Sequence, residues 1–206
     1  MADLVRGADG RRRCTWGAAS PEYVEYHDTE WGRPVADDVR IYEKLCLEGF
    51  QSGLSWLTIL RKRDGFRRAF AGFDPERVAR FGTRDIARLL CDASIVRHRG
   101  KIEAAIANAR ATLAVRDDGR TLAELLWAHE PRGRRKAPRG YADVASATAE
   151  STALAKELKR YGFRFIGPTT AYAAMQSLGL VNDHFVGCAA RAECVADRRR
   201  YAPPMR

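Results

Sequence analysis

The feature of this sequence that most constrains its fold is the spacing of the apolar residues, which recur every three or four positions in segment after segment. Ile102, Ile106, Ala109 and Leu113 form one such run. This period places apolar side chains on one face of an α-helix, whereas a strand alternates at every second residue. Because strand-like alternation is nearly absent, the sequence predicts an all-α fold.

Helix starts and one long loop can be placed along this pattern. Asp37, Asp74 and Thr83 each precede an apolar run and are residues that cap helix N-termini. Segment 131–141, PRGRRKAPRGY, combines Pro and Gly with five basic residues, which predicts an exposed loop. The arginine-rich ends, 1–13 and 191–206, are predicted as solvated tails around a single unit of two helical lobes over 14–190.

Length and charge narrow the class of protein. The chain has 206 residues, enough to bury a core without disulfides, and its five scattered cysteines form no disulfide framework. With no bilayer-length apolar stretch and no secretory leader pattern, we expect a soluble cytoplasmic protein with no membrane association. A formal charge of +10 favours a polyanionic partner such as nucleic acid, although an arginine-biased composition explains it equally.

Four residues form a candidate metal site. Cys14 and His27 lie near one end of the chain, and His184 and Cys188 lie near the other at a spacing of four, which predicts one face of a helical turn. Two thiolates and two imidazoles would give zinc a closed tetrahedral set with no position for water. Such a site would be structural and would tie the two terminal segments together. Packed core cysteines with surface histidines remain the alternative.

Aromatic residues cluster around one glutamate. Between Trp16 and Trp56 the chain is dense in Trp and Tyr, and Glu48 falls on the helical stripe of Ile41 and Leu45. The stripe points the Glu48 carboxylate inward, and with no basic partner identified on it, we expect a ligand to be the partner. Aromatic faces around a carboxylate suit a flat cation such as an alkylated purine. A core of aromatics with a structural glutamate stays open as the other interpretation.

A short break follows the helix that carries Glu48. Gly53 and Leu54 occupy it, and Leu54 is an apolar residue where a loop is expected. Enzymes that extrude a base from duplex DNA often place an apolar wedge in the gap. A simple helix-capping loop explains the same residues.

The second half of the chain contains a predicted helix–hairpin–helix. One helix ends near Gly162, and another begins after Gly167 with Thr169 and Thr170 in its first turn. Glycine permits close backbone approach, and free N–H groups at a helix start favour phosphate. Such contacts would position DNA without reading its sequence. A plain αα-hairpin is equally consistent with the pattern.

Ordered motifs connect these segments to a known family. They are CTW at 14–16, YHDTEWG at 26–32, CLEGFQSGLSW at 46–56, RHRGKI at 97–102, GFRFIGPTT at 162–170 and GLVNDH at 179–184. With them the chain, from Cys14 to about Cys188, resembles the 3-methyladenine DNA glycosylase I family of the helix-hairpin-helix superfamily. The resemblance implies that fold, with structural zinc on the four Cys and His residues joining the N- and C-terminal segments.

The resemblance also implies the site and its activity. The implied base pocket consists of Glu48, Tyr26, Tyr23, Trp16 and Trp56, with Gly53 and Leu54 probing the lesion. Glu48 and Tyr26 are assigned to catalysis, and Gly162, Gly167, Thr169 and Thr170 to DNA binding. The implied activity is excision of 3-methyladenine from alkylated double-stranded DNA in base excision repair, with the free base as product ligand.

Groups that many superfamily relatives use are missing here. Thr169 stands where those relatives carry a Schiff-base lysine, and Gly187 stands where they carry an aspartate. We therefore expect a monofunctional hydrolase, and interpret Asp183 as support for His184. Pro168, which lacks an N–H donor, and the basic loop 131–141 depart from the family pattern.

The expected state is a bacterial-type monomer associated with the nucleoid. A non-catalytic DNA-damage binder on the same scaffold is the alternative. A zinc-stapled interaction module, whose aromatic residues are only core, is a third possibility.

Overall fold

The computed structural model describes residues 3–133 and 135–204, and these are mostly helical. Outside the described residues lie Met1 and Ala2 of the predicted N-terminal tail, Arg134 of the basic loop, and the last two residues of the predicted C-terminal tail. The helices are α1 (Pro21–Thr29), α2 (Asp38–Gln51), α3 (Trp56–Ala69), α4 (Pro75–Val78), α5 (Thr83–Cys91), α6 (Arg99–Asp117), α7 (Leu122–Trp127), α8 (Ala149–Arg160), α9 (Pro168–Ser177) and α10 (Ala189–Arg200). No helix of this described part is long and apolar enough to cross a membrane.

The helix starts follow the capping chemistry of the sequence. Asp37 accepts a hydrogen bond from the Arg40 amide at the start of α2, and Asp74 accepts two at the start of α4. Gly82, rather than Thr83, is the capping residue of α5. There the Asp85 side chain accepts a hydrogen bond from the Gly82 amide, which replaces the missing cap side chain.

Helix α2 lies at the centre of the molecule and packs against α3, α6, α7 and α9. Its residues Ile41, Tyr42, Leu45 and Phe50 are fully buried or nearly so. The Tyr42 hydroxyl donates to the carbonyl of Ala105 in α6 at 2.8 Å, so even its polar atom is satisfied. Residues 41–50 of α2 are all buried, and Glu48 is among them.

The N-terminal segment is not a solvated tail. Strands β1 (Leu4–Arg6) and β2 (Arg12–Cys14) form an antiparallel pair, a small addition to the predicted all-α fold. Arg13 is buried, and its guanidinium pairs with Asp28 at 2.7 Å and with Asp9 at 2.5 Å. These ion pairs anchor the hairpin to α1.

The C-terminal segment is also folded, as α10. Arg33 pairs with Glu193 and Asp197 on this helix, and Arg198 pairs with Glu130 at 2.7 Å. Cys194, a residue of α10, is buried. Charge alone predicted a tail for both ends, but Arg13 at one end and Arg198 at the other form ion pairs with acidic residues.

Candidate functional site

A pocket of about 310 Å³ lies between the 3-10 turn Thr15–Ala18, α1, the α2–α3 junction and the segment 173–185. Its volume is at the lower end of the range of about 300–1,000 Å³ for small-molecule sites. The five residues that the sequence assigned to base binding all line it: Trp16, Tyr23, Tyr26, Glu48 and Trp56. The structure therefore brings the predicted set together in one place.

The aromatic rings hold one another edge to face. Trp16 meets Tyr23 at a centroid distance of 5.8 Å and Trp31 at 4.9 Å, both T-shaped, and Tyr26 lies 5.5 Å from Trp56. The Tyr23 hydroxyl accepts a hydrogen bond from the Leu57 amide at 3.1 Å. Rings fixed in this way present preformed faces to a flat ligand.

Glu48 has a protein partner that the sequence interpretation missed. Lys44, one helical turn earlier on α2, places Nζ 2.9 Å from Glu48 Oε1 and donates to the Tyr26 hydroxyl at 2.6 Å. The expectation of a carboxylate without a basic partner was therefore wrong. The i,i+4 spacing that carries this pair is visible in the sequence, so the pair could have been predicted.

Burial shifts the pKa values of Lys44 and Tyr26. Burial lowers the pKa of the Lys44 ammonium, while neighbouring Glu48 acts in the opposite direction. Burial also raises the pKa of the Tyr26 hydroxyl well above its usual 10. Tyr26 is consequently a neutral phenol, able to donate or accept a hydrogen bond.

Further residues complete the pocket wall. Sequence analysis did not assign the following to it: Trp31, Gln51, Tyr141, Val144, Ala173, Gln176, Asp183 and Phe185. Tyr141 comes from the end of the basic loop, and its hydroxyl accepts a hydrogen bond from the Trp16 amide at 3.1 Å. The loop is held in place by the Val186 amide, which donates to the Pro138 carbonyl at 2.8 Å. One end of the basic loop is thus part of the site.

Asp183 faces the pocket and does not support His184. Its carboxylate accepts from the Tyr172 hydroxyl at 2.6 Å and from Gln176 Nε2 at 3.0 Å, and Arg135 lies 3.4 Å away. Burial and the nearby Asp183 raise the pKa of Tyr172 to about 12, which keeps that hydroxyl a donor. The expected role of Asp183 is corrected accordingly.

The four predicted metal ligands, Cys14, His27, His184 and Cys188, form one buried cluster. Their ligand atoms all lie within 4.8 Å of one another. The backbone from 182 to 185 is not helical, which corrects the predicted helical turn. The pair instead comes together across a turn, in which the Cys188 amide donates to the Phe185 carbonyl at 2.9 Å, and Cys188 then caps α10.

The donor set fits a tetrahedral ion. Cys188 Sγ lies 3.5 Å from His27 Nε2 and 3.6 Å from His184 Nδ1, and the two nitrogens are 3.1 Å apart. A tetrahedron with bonds of about 2.0 Å to nitrogen and 2.3 Å to sulfur has edges of ~3.3–3.8 Å. The other ring nitrogens are engaged, since His27 Nδ1 bonds Asp28 at 2.7 Å and His184 Nε2 donates to the Trp31 carbonyl at 3.0 Å. Such partners fix the imidazoles in the metal-binding tautomer.

The cluster of Cys14, His27, His184 and Cys188 also contacts the pocket wall. His27 packs edge-on against Trp16 at 5.1 Å, and His184 packs against Trp31 at 4.6 Å. Both tryptophans line the pocket. The two histidines of the cluster therefore pack against two of the aromatic rings that line the pocket.

The predicted wedge lies on a turn at the end of α2. Gly53 has a φ of +79°, a conformation that favours glycine, and Leu54 is 41% exposed. Lys101 donates to the carbonyls of Phe50 at 2.9 Å and of Ser52, which ties the turn to α6. The turn thus presents an apolar side chain on a fixed support.

The hairpin between α8 and α9 has the predicted form. Gly162 adopts a φ of +98°, and Gly167 precedes the first turn of α9, where Thr169 and Thr170 follow Pro168. The amides of a first helical turn have no acceptor within the helix, although Pro168 contributes none. The side chain of Asn108 in α6 makes two hydrogen bonds to the hairpin. Its Oδ1 accepts from the backbone amide of Arg164 at 2.7 Å, and its Nδ2 donates to the backbone carbonyl of Arg164 at 3.2 Å.

Comparison with known proteins gives one consistent result. The model of the methyladenine glycosylase family matches residues 16–192. The chain is 45% identical to DNA-3-methyladenine glycosylase 1 of Escherichia coli over 179 residues, covering 85% of this chain and 95% of that protein. It is 44% identical to DNA-3-methyladenine glycosylase of Haemophilus influenzae over 179 residues, covering 85% and 96%.

Comparison with solved structures gives the same family as the sequence comparison. A crystal structure of 3-methyladenine DNA glycosylase I matches with a TM-score of 0.83 at 45% identity, covering 86% of this chain and 98% of that one. A structure that addresses 3-methyladenine recognition by the Staphylococcus aureus enzyme matches at 0.82 and 35% identity, covering 87% and 96%. Pocket, fold and sequence together show that this chain belongs to the methyladenine glycosylase family.

Proposed function

We propose that this protein is a monofunctional DNA glycosylase that excises 3-methyladenine from alkylated double-stranded DNA in base excision repair. The single observation that carries the proposal is the aromatic pocket that contains Glu48. The family supports it, since its named relatives are DNA-3-methyladenine glycosylases and one related structure is described as a complex with 3-methyladenine.

The proposed chemistry places little demand on acid catalysis. The N-methylated base is cationic while it is attached to the sugar, so it is already a good leaving group. The bond between the base nitrogen and C1′ breaks, its electron pair goes to the base, and the base leaves neutral. Water forms the new bond to C1′ and loses a proton to solvent. The protein's part is to bind and orient the extruded base.

Named residues would carry that binding. Glu48 accepts an N–H of the base while Tyr26, Trp16, Tyr23 and Trp56 surround the ring. Lys44 Nζ lies 2.9 Å from Glu48 Oε1, so the other carboxylate oxygen, Oε2, would accept the hydrogen bond from the base. Glu48 and Tyr26 thereby act on the substrate by positioning it for attack.

DNA contact is assigned to two surfaces. Leu54 on its Gly53 turn fills the gap that the extruded base leaves. The hairpin glycines 162 and 167, with the amides of Thr169 and Thr170, contact the phosphate backbone. The monomeric state and the association with the nucleoid stay predictions.

We propose zinc as the ion of the cluster formed by Cys14, His27, His184 and Cys188. Two thiolates and two imidazoles at near-tetrahedral separations are a zinc donor set with no position left for water. The ion would tie β2 and α1 to the start of α10 and brace the tryptophans of the pocket. Its role is structural.

The proposal is tested by base release. Methylated duplex DNA is incubated with wild type, Glu48→Gln and the control Glu103→Gln, and released bases are quantified by mass spectrometry. Glu103 lies on α6 outside the pocket, in an exposed pair with Arg99. Wild type and Glu103→Gln are expected to release 3-methyladenine, and Glu48→Gln at least ~100-fold less, the size of a lost charge-assisted contact in a buried site.

Two results would overturn the assignment. Absence of release by wild type together with retained binding to alkylated DNA would support the second candidate, a damage binder that does not cut. Full activity of Glu48→Gln would show that the pocket carboxylate is not used. An interaction module whose aromatics are only core would bind neither free 3-methyladenine nor DNA.

A further inference from the structure

Segment 135–141 of the basic loop is attached to the base pocket at both of its ends. At one end, the Arg135 guanidinium lies 3.4 Å from the carboxylate of Asp183, which lines the pocket. At the other end, Tyr141 lines the pocket, and its hydroxyl accepts a hydrogen bond from the Trp16 amide at 3.1 Å. Tyr141 is 51% exposed, so it lies at the opening. The segment therefore follows the edge of the pocket.

The backbone between these ends is held against the protein. The Pro138 carbonyl accepts a hydrogen bond from the Val186 amide at 2.8 Å. Gly140 is buried against Asp3, where a Cβ atom would clash with the carboxylate. A backbone that is fixed in advance loses little conformational freedom when it binds a partner.

Two cations of this segment have no acidic partner. Lys136 and Arg139 are exposed, and neither side chain forms a salt bridge with any residue that the structure describes. The Asp143 carboxylate accepts from the backbone amide of Arg139 at 2.7 Å. Arg135, by contrast, is paired with Asp183. Unpaired cations on a fixed backbone are typical of a surface that binds a polyanion.

The extruded nucleotide would bring phosphates to this edge of the pocket. In the proposed function, the base stays joined to its sugar until the bond to C1′ breaks, so the DNA backbone must cross the opening. Duplex DNA carries about one negative charge per 1.7 Å of helix axis. Arg139 is two residues from Tyr141, so their Cα atoms are at most ~7.6 Å apart. The cations of the segment therefore lie beside the path of the backbone.

We propose that segment 135–141 is a further phosphate-binding element, in which Lys136 and Arg139 contact the backbone phosphates beside the extruded nucleotide. The inference rests on the proposed function and adds a DNA contact to those of the hairpin and the Leu54 turn. Because phosphates carry no sequence information, these contacts supply affinity and orientation without base preference. Arg135 anchors the segment through Asp183.

The release of counterions from DNA determines the size of the effect. The logarithm of the binding constant falls linearly with the logarithm of salt concentration, with a slope of about 0.9 for each phosphate that is neutralised. Two contacts contribute ~1.8 to this slope, which corresponds to an affinity change of about 12-fold between about 50 and 200 mM salt.

The test measures the salt dependence of DNA binding. Fluorescence anisotropy gives Kd for a duplex that contains a tetrahydrofuran abasic-site analogue, at about 50 to 200 mM salt. The loop variant is Lys136→Gln/Arg139→Gln, and the control is Arg77→Gln/Arg84→Gln, which also removes two positive charges. Arg77 and Arg84 are exposed residues of α4 and α5, two helices that pack against α6 and do not line the pocket.

The loop variant should have a slope smaller by ~1.8 than that of wild type, and the control should have the wild-type slope. All three proteins should bind free 3-methyladenine with the same affinity, because none of the four substituted residues lines the pocket.

A second duplex locates the contact. In this duplex, neutral methylphosphonates replace the phosphates on either side of the abasic-site analogue. The replacement should weaken binding by wild type more than binding by the loop variant, because the variant already lacks the cations that contact those phosphates.

Three results would overturn the inference: a wild-type slope for the loop variant, an equal fall in slope for the control, or an equal effect of the methylphosphonates on wild type and the loop variant. Failure of the proposed function is distinguishable, since wild type would then release no 3-methyladenine from methylated DNA. If only the inference fails, wild type releases the base and the loop variant retains the wild-type salt dependence.

Discussion

Replacing Asn108 by alanine should loosen the hairpin that is proposed to hold DNA. Asn108 is 2% exposed on α6, and its side chain makes two hydrogen bonds to the backbone of Arg164, 56 residues further along the chain. The neighbouring Phe165 has a φ of +58°, a conformation that costs a non-glycine residue about 1–3 kcal/mol and persists only when neighbours enforce it. Asn108 is one of those neighbours.

The magnitude follows from the groups left without a partner. In the variant, the backbone N–H and C=O of Arg164 lose their hydrogen-bond partner. Because both groups are partly accessible to water, the free energy of unfolding should fall by about 1–3 kcal/mol in total. For a chain of 206 residues, ~2–4 °C is lost per kcal/mol, so Tm should fall by about 2–12 °C. If most of this destabilisation is confined to the hairpin, DNA binding must first restore the hairpin conformation. A cost of about 1 kcal/mol or more then raises KM for methylated DNA about 5-fold or more.

The assay separates hairpin from pocket. Thermal unfolding, KM for methylated DNA and Kd for free 3-methyladenine are measured for Asn108→Ala and for Thr112→Val. Thr112 is also buried on α6, but its hydroxyl donates to the backbone carbonyl of Asn108 at 2.9 Å, within the helix. Both variants should lose stability, and only Asn108→Ala should raise KM, with Kd for the free base unchanged. An unchanged KM for Asn108→Ala, or an equal rise for Thr112→Val, would refute the reasoning.

Three further predictions concern the metal, the loop and pH. Cys188→Ser or treatment with a chelator should lower Tm by at least about 4 °C and remove zinc from elemental analysis, while retained Tm would contradict a structural ion. Tyr141→Ala should weaken binding of free 3-methyladenine about 3- to 10-fold by calorimetry, because it removes a pocket wall, and unchanged binding would exclude the loop from the site. Burial opposes ionisation of Glu157, but hydrogen bonds from Arg120 and His129 prevail and lower its pKa below 4.5, so it stabilises the fold above pH 4.5. Denaturant titrations should show that Glu157→Gln is less stable at pH 7 and that its deficit closes as pH falls below 4.5, whereas a constant deficit would refute this linkage.

The helix starts and the inward position of Glu48 could be predicted from local signals, whereas the set of aromatic residues around Glu48 came from the family resemblance. Capping residues such as Asp37 and Asp74 determine where helices begin, and the apolar stripe of Ile41 and Leu45 placed Glu48 on an inward face. Such signals operate within one or two helical turns. They are readable because backbone hydrogen bonding and side-chain periodicity are local.

Features that depend on long-range pairing were missed or wrong. Arg13 appeared to belong to a charged tail, but it is buried and forms ion pairs with Asp9 and Asp28. Tyr141 reaches the pocket only because the loop docks on Val186 through a backbone hydrogen bond that no side-chain pattern encodes. Asp183 is adjacent to His184 in sequence, but its carboxylate accepts a hydrogen bond from the Tyr172 hydroxyl. Lys44 is different, since its i,i+4 pairing with Glu48 was available from sequence alone.

The central claim is that Glu48 and the aromatic rings hold an extruded 3-methyladenine, and a crystal structure of the protein with the free base tests it most directly. The account predicts the base inside the 310 Å³ pocket, within ~3.2 Å of Glu48 Oε2 through an N–H and against the face of Trp56 opposite Lys44. A base bound outside this pocket, or bound in it without a hydrogen bond to Glu48, would contradict the account.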